Sequence, residues 1–255
     1  MIDIHSHILP RFDDGAVNEE ESIAMAREAV RQGITTIVAS PHHRNGKYNN
    51  NRTEVLNHTE IMNQLFVQEG IPLKVLPAQE VRIFGELLEE YEAGDVLSIN
   101  DDGKYMLIEF PSASVPRYAE KLLTDLQFEG ITPVIVHPER NQELTENPSL
   151  LYNLVKKGFI TQVTAASVAG VFGKKVQKFT FSLIEANLTH LIASDAHNLS
   201  SRSFYMDAAF KTIEKKYGYD TVDLFLSNAE AVVNGKGITK DMPERIKTKK
   251  FLGIF

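Results

Sequence analysis

Met1-Ile2-Asp3-Ile4-His5-Ser6-His7-Ile8-Leu9-Pro10 reads as a short strand that ends on two histidines. Side chains on a strand alternate between faces, so residues two apart point the same way. His5 and His7 are therefore expected to reach one small volume, as two ligands of one metal must, with Asp3 one step deeper on the same face. A single His-x-His is equally at home on a solvent-facing strand. The reading rests on the same grammar returning at the ends of later strands.

Outward from that stretch, the apolar runs are short and end on polar residues. Thr35 to Ser40 closes on Pro41-His42-His43, and Leu73 to Leu76 runs on to Glu80. Tyr105 to Glu109 ends on an acid, and Thr132 to Val136 stops at His137-Pro138-Glu139-Arg140. Phe159 to Thr164 offers no evident ligand, whereas His190 to Ser194 is followed by Asp195-Ala196-His197. Val96 to Phe110 reads as a hairpin with Asp102-Gly103 as its tight turn. Between the runs lie helical patterns. Asn18 caps the first, with Glu19, Glu20 and Glu21 where the helix dipole favours acids, and Gly33 stops it. Further helices are expected at about 53–69, near 86–91, and over 116–128, 148–157, 174–186, 204–217 and 221–233.

Strand and helix thus alternate about seven times, at roughly 25 to 40 residues per unit, which is the βαβ rhythm. Nearly continuous apolar strands are those of a parallel sheet covered on both faces. In one domain of 255 residues this predicts a closed or nearly closed β/α barrel. An open doubly wound sheet is the alternative, but it would place a glycine-rich loop after the first strand, where His5-Ser6-His7 stands.

Composition narrows the chemistry. Hydrophobic residues at 43% and charged residues at 24% are those of an ordinary globular chain. No run has the length of a membrane span and no basic and apolar leader precedes the first strand, so a cytoplasmic protein without membrane insertion is expected. The net charge of −7 argues against a general nucleic-acid binder. With no cysteine there is no disulfide framework and no thiolate route to phosphate ester cleavage. A metal site must then use His, Asp and Glu, ligands that suit Mn, Zn or Fe.

Active sites of β/α barrels lie at the carboxyl ends of the strands. Collecting the residues there brings together His5, His7, His42, Glu80, Glu109, His137, Asp195 and His197, with Asp14 on the first loop able to close over the rim. His58, within a helix, and His190, at a strand's start, read as structural. So many carboxylates repel one another unless cations sit between them. Two or more divalent ions about 4 Å apart make a hydrolytic site, and a phosphate monoester suits it. Arginine would take the remaining phosphoryl oxygens: Arg140 first, Arg202 second, with Arg11 and Arg44 weaker. The stretch from Lys236 to Lys250 is basic and is followed by Phe251-Leu252-Gly253-Ile254-Phe255, a crossing or solvated tail or a docking peptide for an acidic partner.

His5-Ser6-His7, Pro41-His42-His43, Glu80, Glu109-Phe110-Pro111, His137-Pro138-Glu139-Arg140 and Ser194-Asp195-Ala196-His197 together resemble the PHP (polymerase and histidinol phosphatase) family over the whole chain. Leu9-Pro10 with Asp13-Asp14-Gly15-Ala16, Ile108-Glu109-Phe110-Pro111, His137 to Asn141 and Ser194 to Asn198 resemble more closely its bacterial tyrosine-phosphatase branch, found with capsule and exopolysaccharide genes. The resemblance implies a single domain over 1–255 with a basic tail from about 236, folded as a distorted, TIM-like seven-stranded β/α barrel. It implies three metals, most often manganese, with Zn, Fe or Mg as alternatives. One would be held by His5, His7, Glu80 and Asp195; a second by Glu80, Glu109 and His137; a third by Asp14, His42 and His197. Arg140, Arg202 and His42 are the catalytic candidates. The implied substrate is phosphotyrosine on the tail of a cognate bacterial tyrosine kinase that controls polysaccharide synthesis. Arg11-Phe12 departs from the branch, which more often carries a glycine and a small aliphatic residue there. Two other readings share the motifs: a small-molecule phosphatase of the histidinol phosphatase kind or another phosphoesterase, and a kinase-binding regulator whose metals are structural.

Overall fold

The computed structural model describes residues 1–246. Its strands are β1 (Ile2–Ser6), β2 (Thr36–Ala39), β3 (His42–His43), β4 (Lys74–Pro77), β5 (Glu80–Arg82), β6 (Tyr105–Glu109), β7 (Thr132–Val136), β8 (Ile160–Thr164) and β9 (Leu191–Ala193). The helices are α1 (Glu19–Arg31), α2 (Arg52–Gln68), α3 (Leu87–Glu92), α4 (Ala119–Phe128), α5 (Gln142–Glu146), α6 (Pro148–Lys156), α7 (Ala165–Ala169), α8 (Lys174–Glu185), α9 (Met206–Tyr217) and α10 (Tyr219–Val233). Their ends follow local chemistry. The Asn18 side chain accepts from Glu21 N at 2.9 Å, and Asn51 does the same for Glu54 N at 3.0 Å, so each helix begins where a side chain satisfies an orphan N–H.

All strand pairs are parallel, in a three-stranded sheet β1-β2-β4 and a six-stranded sheet β3-β5-β6-β7-β8-β9. The closed ladder expected from the sequence is not drawn by the hydrogen bonds. Pro41, which has no N–H to give, separates β2 from β3, and Ala78-Gln79 separates β4 from β5, so the ladder divides at one level. Across the gap at the other edge, Ser6 meets Ala196 in a single parallel bridge, with Asp195 N donating to His5 O at 2.9 Å and His7 N to Ala196 O at 2.8 Å.

Two apolar layers hold this frame. Outside the sheets, Ile37, Val75, Val81, Ile108, Ile135, Val163 and Ile192 pack with the helices. On the opposite face Ile4, Val38, Leu76, Leu107, Val134, Ile160 and Leu191 form a separate buried cluster, closed by Ala229, Val232 and Val233 of α10. Successive residues of a strand point to opposite faces, so the nearly continuous apolar runs divide between these two layers.

The hairpin expected over 96–110 is absent. Ile99–Asp101 is a turn of 3-10 helix, with Asn100 left-handed (φ 56°) and its side chain donating to Val233 O at 3.3 Å, and only β6 is a strand. Val96 and Leu97 are buried in the helix-side layer and Ile99 in the opposite cluster, none of them in a strand, so apolarity without alternation misread a crossing segment as a strand arm. The basic tail lies partly outside the described residues, as do all of residues 251–255. Its described portion, 236–246, crosses the protein: Tyr105 Oη donates to Lys236 O at 2.6 Å and Glu244 N to Ala186 O at 2.8 Å.

Candidate metal centre

Most candidate ligands stand near or just past the end of a strand; His42 and Glu80 instead open the short strands that follow β2 and β4, and Asp14 lies on a loop. His5 is in β1 and His7 follows it; His42 opens β3 and pairs in register with Glu80, which opens β5. Glu109 closes β6, His137 follows β7, and Asp195 and His197 follow β9. His137 (φ 36°) and Asp195 (φ 53°) both take the left-handed conformation, which non-glycine residues adopt at a cost of about 1–3 kcal/mol. That turn carries the chain from β7 into Pro138–Arg140 and so aims Arg140 back at the rim. Asp14 arrives on a loop pressed against β1. A Cβ on Gly15 would lie 2.1 Å from His7 O, so only glycine lets the loop come this close.

The side chains converge in three overlapping groups: His5, His7, Glu80 and Asp195; His7, Asp14, His42 and His197; and His42, Glu80 and Glu109. In the first, His7 Nε2 stands 3.3 Å from Glu80 Oε2, from Asp195 Oδ1 and from His5 Nε2. In the second, Asp14 Oδ1 is 3.4 Å from His42 Nε2 and 3.5 Å from His197 Nε2. In the third, Glu80 Oε2 is 2.8 Å from His42 Nδ1, while His137 Nε2 lies 2.6 Å from the other Glu80 oxygen. Glu80 is thus common ground for four imidazoles. The sets differ in detail from those the resemblance implied, with His7 reaching two groups and His42 standing beside Glu109. Asp3 joins none of them: the register shifts between Asp3 and Ser6, and its carboxylate accepts from Ser194 N at 2.9 Å and Ser194 Oγ at 2.5 Å.

These donors fit divalent cations, and unpaired lone pairs show it. His5 donates from Nδ1 to Gln162 Oε1 at 2.9 Å, His7 from Nδ1 to Asp13 Oδ2 at 2.5 Å and His197 from Nδ1 to Asp195 O at 2.9 Å. Each bond fixes the tautomer that leaves an Nε2 lone pair aimed into the cluster, the arrangement of metal-ligating imidazoles. His197 Nε2 is buried with no hydrogen-bond partner, and His42 Nδ1 and Glu80 Oε2, although 2.8 Å apart, are not aligned to form one. Charge points the same way. Among the described residues, guanidinium groups reach Glu109 (Arg82), Asp195 (Arg140 and Arg202) and Asp14 (Arg202), whereas Asp13 and Glu80 pair only with imidazoles. The histidines otherwise supply the missing positive charge: burial opposes a proton on His42, yet Glu80 and Asp14 push its pKa up to about 9. Burial also opposes charge on Glu80, and His42 and His5 override it, holding that carboxyl well below its usual range. Glu109 moves the other way, raised by burial and then by Glu80 beside it.

Beside the cluster opens a cleft of about 350 Å³ whose lining includes His42, Glu109, His137, Arg140 and Arg202. Arg140 binds Asp195 Oδ2 at 2.6 Å, and Arg202 reaches Asp195 at 3.2 Å and Asp14 at 3.3 Å. The weaker arginine candidates stand elsewhere: Arg44 pairs with Glu90, and Arg11 lines a separate hollow with Phe12 and His58. His190 is buried and accepts from Thr161 N at 3.1 Å, while His58 remains on the exposed side of α2. Sequence reasoning missed the supports: Asp13, given no role beyond its place in the first-loop motif; Gln162, on the strand that offered no ligand; and Arg82, bound to Glu109 at 2.9 Å. Only strand parity could have flagged Gln162, since it shares a face with Ile160.

Residues 1–234 match the family described as capsular polysaccharide synthesis, CpsB/CapC. The tyrosine-protein phosphatase YwqE of Bacillus subtilis is 50% identical over 255 residues, covering 100% of both chains. The tyrosine-protein phosphatase CpsB of Streptococcus pneumoniae is 34% identical over 239 residues, covering 91% of this chain and 98% of its own. A solved structure from work on those same two proteins, described as unique metal-dependent tyrosine phosphatases, superposes with a TM-score of 0.95 at 50% identity over 97% of this chain and 100% of its own. No described helix is long and apolar enough to cross a membrane.

Proposed function

The chain belongs to the CpsB/CapC family of capsular polysaccharide synthesis, and on that premise we propose that it is a metal-dependent protein-tyrosine phosphatase. The observation that carries this is the three overlapping groups of imidazoles and carboxylates, in which His42 Nδ1, Glu80 Oε2 and His197 Nε2 are left without hydrogen bonds, beside an arginine-lined cleft. Three cations would be held by His5, His7, Glu80 and Asp195, by Glu80, Glu109 and His137, and by Asp14, His42 and His197; manganese suits this nitrogen and oxygen donor set. When bound, such ions make water nucleophilic near neutral pH and neutralise phosphoryl oxygens.

The chain's own residues do the rest. Arg140 and Arg202 offer guanidinium donors to the equatorial oxygens, where charge spreads in the transition state. Asp195 holds both in place by its ion pairs. Asp13 and Gln162 lock two imidazoles in the ligating tautomer. His42, with both ring nitrogens facing carboxylates, serves as a ligand rather than as a free acid. With no cysteine in the chain no phosphocysteine intermediate can form, and in this reading water attacks the phosphorus in line.

The physiological substrate in this reading is phosphotyrosine on a cognate tyrosine kinase of the polysaccharide pathway, a setting that places the enzyme in the cytoplasm, where ATP-dependent kinases work. We also read residues 1–255 as one domain, and the two sheets as one distorted seven-stranded barrel interrupted near Pro41 and Gln79, a reading supported by the Ser6–Ala196 bridge. The test is hydrolysis of a phosphotyrosyl peptide: chelation should abolish it and Mn2+ restore it. Undiminished turnover in excess chelator, or hydrolysis of histidinol phosphate in preference to the peptide, would overturn the assignment.

A further inference from the structure

Arg140 separates two hollows, and the chemistry above uses one of them. The second, of about 320 Å³, is lined by Arg140, Thr145, Glu146, Phe172, Val176 and Phe179, together with Lys175. It lies between α5 and the start of α8, and its walls are mainly hydrocarbon. The Arg140 guanidinium stands 5.7 Å from the centre of the Phe172 ring, so one face of the cation meets Asp195 and another an aromatic surface.

Local sequence explains how that surface is presented. Gly170-Val171-Phe172-Gly173 joins α7 to α8, and both glycines are left-handed (φ 84° and 90°). A Cβ on Gly170 would also come within 2.9 Å of the Gln177 side chain, which donates to Val168 O at 2.9 Å. The tight turn lifts Val171 and Phe172 out of the core, and Val171 is 43% exposed. Directly after it come Lys174, Lys175 and Lys178, all exposed and in no ion pair among the described residues. In a chain of net charge −7, a strip with three unpaired lysines beside an apolar hollow is a local exception, and Glu146 is the one exposed acid on its lining.

We propose that this hollow receives the residues next to the phosphotyrosine of a protein substrate, selecting an apolar or aromatic side chain with acidic neighbours. The inference rests on the phosphatase reading and deepens it. A phosphate held at Arg140 brings its own polypeptide across Phe172, because the two hollows share that guanidinium and successive side chains of an extended peptide are only about 3.3 Å apart along the chain. The apolar floor takes one side chain, and the lysines of α8 attract the acids beside it. Energy gained there, away from the reacting bond, lowers the barrier for the right peptide and leaves a bare phosphate ester unaffected.

The experiment compares Mn2+-loaded enzyme on free phosphotyrosine, on a phosphotyrosyl peptide with acidic and aromatic neighbours, and on one flanked by glycine and serine. The wild type should favour the acidic-aromatic peptide over the glycine-serine one by about tenfold in kcat/KM. Val176→Asp, and separately the paired change Lys175→Glu with Lys178→Glu, should erase that preference while hydrolysis of free phosphotyrosine stays within about twofold. Because all three positions are partly or fully exposed, the lysine pair in particular leaves the core intact. Equal rates on the two peptides, or variants that slow all three substrates alike, overturn the proposal while leaving the phosphatase reading standing. A wild type that hydrolyses none of the three sinks the phosphatase reading, and this inference with it.

Discussion

The two ends of the same strands are opposites. At the end covered by α10, Ile4, Val38, Leu76, Leu107, Val134, Ile160 and Leu191 make a buried apolar floor. A few residues further along each strand stand His7, His42, Glu80, Glu109, His137 and Asp195, nearly as buried. The floor is satisfied by contact alone, since dispersion and water exclusion need no partner of a given sign. The mouth is not: its buried groups require counter-charges and hydrogen bonds that the protein supplies only in part. The difference teaches that stability and function are written into different segments of each strand, and it can be broken experimentally from either end.

The largest effect is expected at the mouth. Glu80→Gln keeps the shape but removes the carboxylate on which four imidazoles converge, and should lower phosphatase activity on the order of a thousandfold, with metal content by elemental analysis falling in parallel. Retained stoichiometric metal in that variant would show that the groups are less dependent on Glu80 than their distances imply. At the floor, Leu107→Ala should cost about 2–5 kcal/mol of unfolding free energy through the cavity it leaves, with metal content per folded molecule unchanged. A variant that lost metal without losing stability would dissolve the contrast.

Next comes a titration at the floor end. His190 is buried just before β9, and burial, followed by the charge of Lys240, lowers its pKa from 6.5 to about 4. The folded protein keeps it neutral while the unfolded chain takes up a proton near pH 6.5, so this contribution is complete above that pH and is lost as the pH falls toward 4. The difference corresponds to about 3 kcal/mol. Urea unfolding of wild type and His190→Gln across pH 4 to 7 should show a shallower slope in the variant; parallel curves would mean that His190 is not held neutral. The smallest effect is expected at a support. Asp13→Asn keeps a group that can still hydrogen-bond His7 but loses its charge, and should weaken metal affinity about 10- to 100-fold, read by competition with a chelating dye. No change there would make Asp13 a loop anchor only, through its bonds to Gly15 N and His42 N.

What could be read from the chain alone was whatever depends on short spacing. Alternation placed His5 with His7, continuous apolar runs marked strands covered on both faces, and Asn18 and Gly33 bounded a helix, because each follows from geometry within a few residues. Only the tertiary structure could decide which distant groups meet. Gln162 supports His5 across 157 positions and Arg82 binds Glu109 across 27; parity can place Gln162 on a face of its strand, but nothing local names the partner of either. The same holds for the break at Pro41, the buried crossing at Ile99 mistaken for a hairpin arm, and the hollow beside Arg140. Each is settled by what lies opposite in space, and a linear sequence carries that information only through the fold.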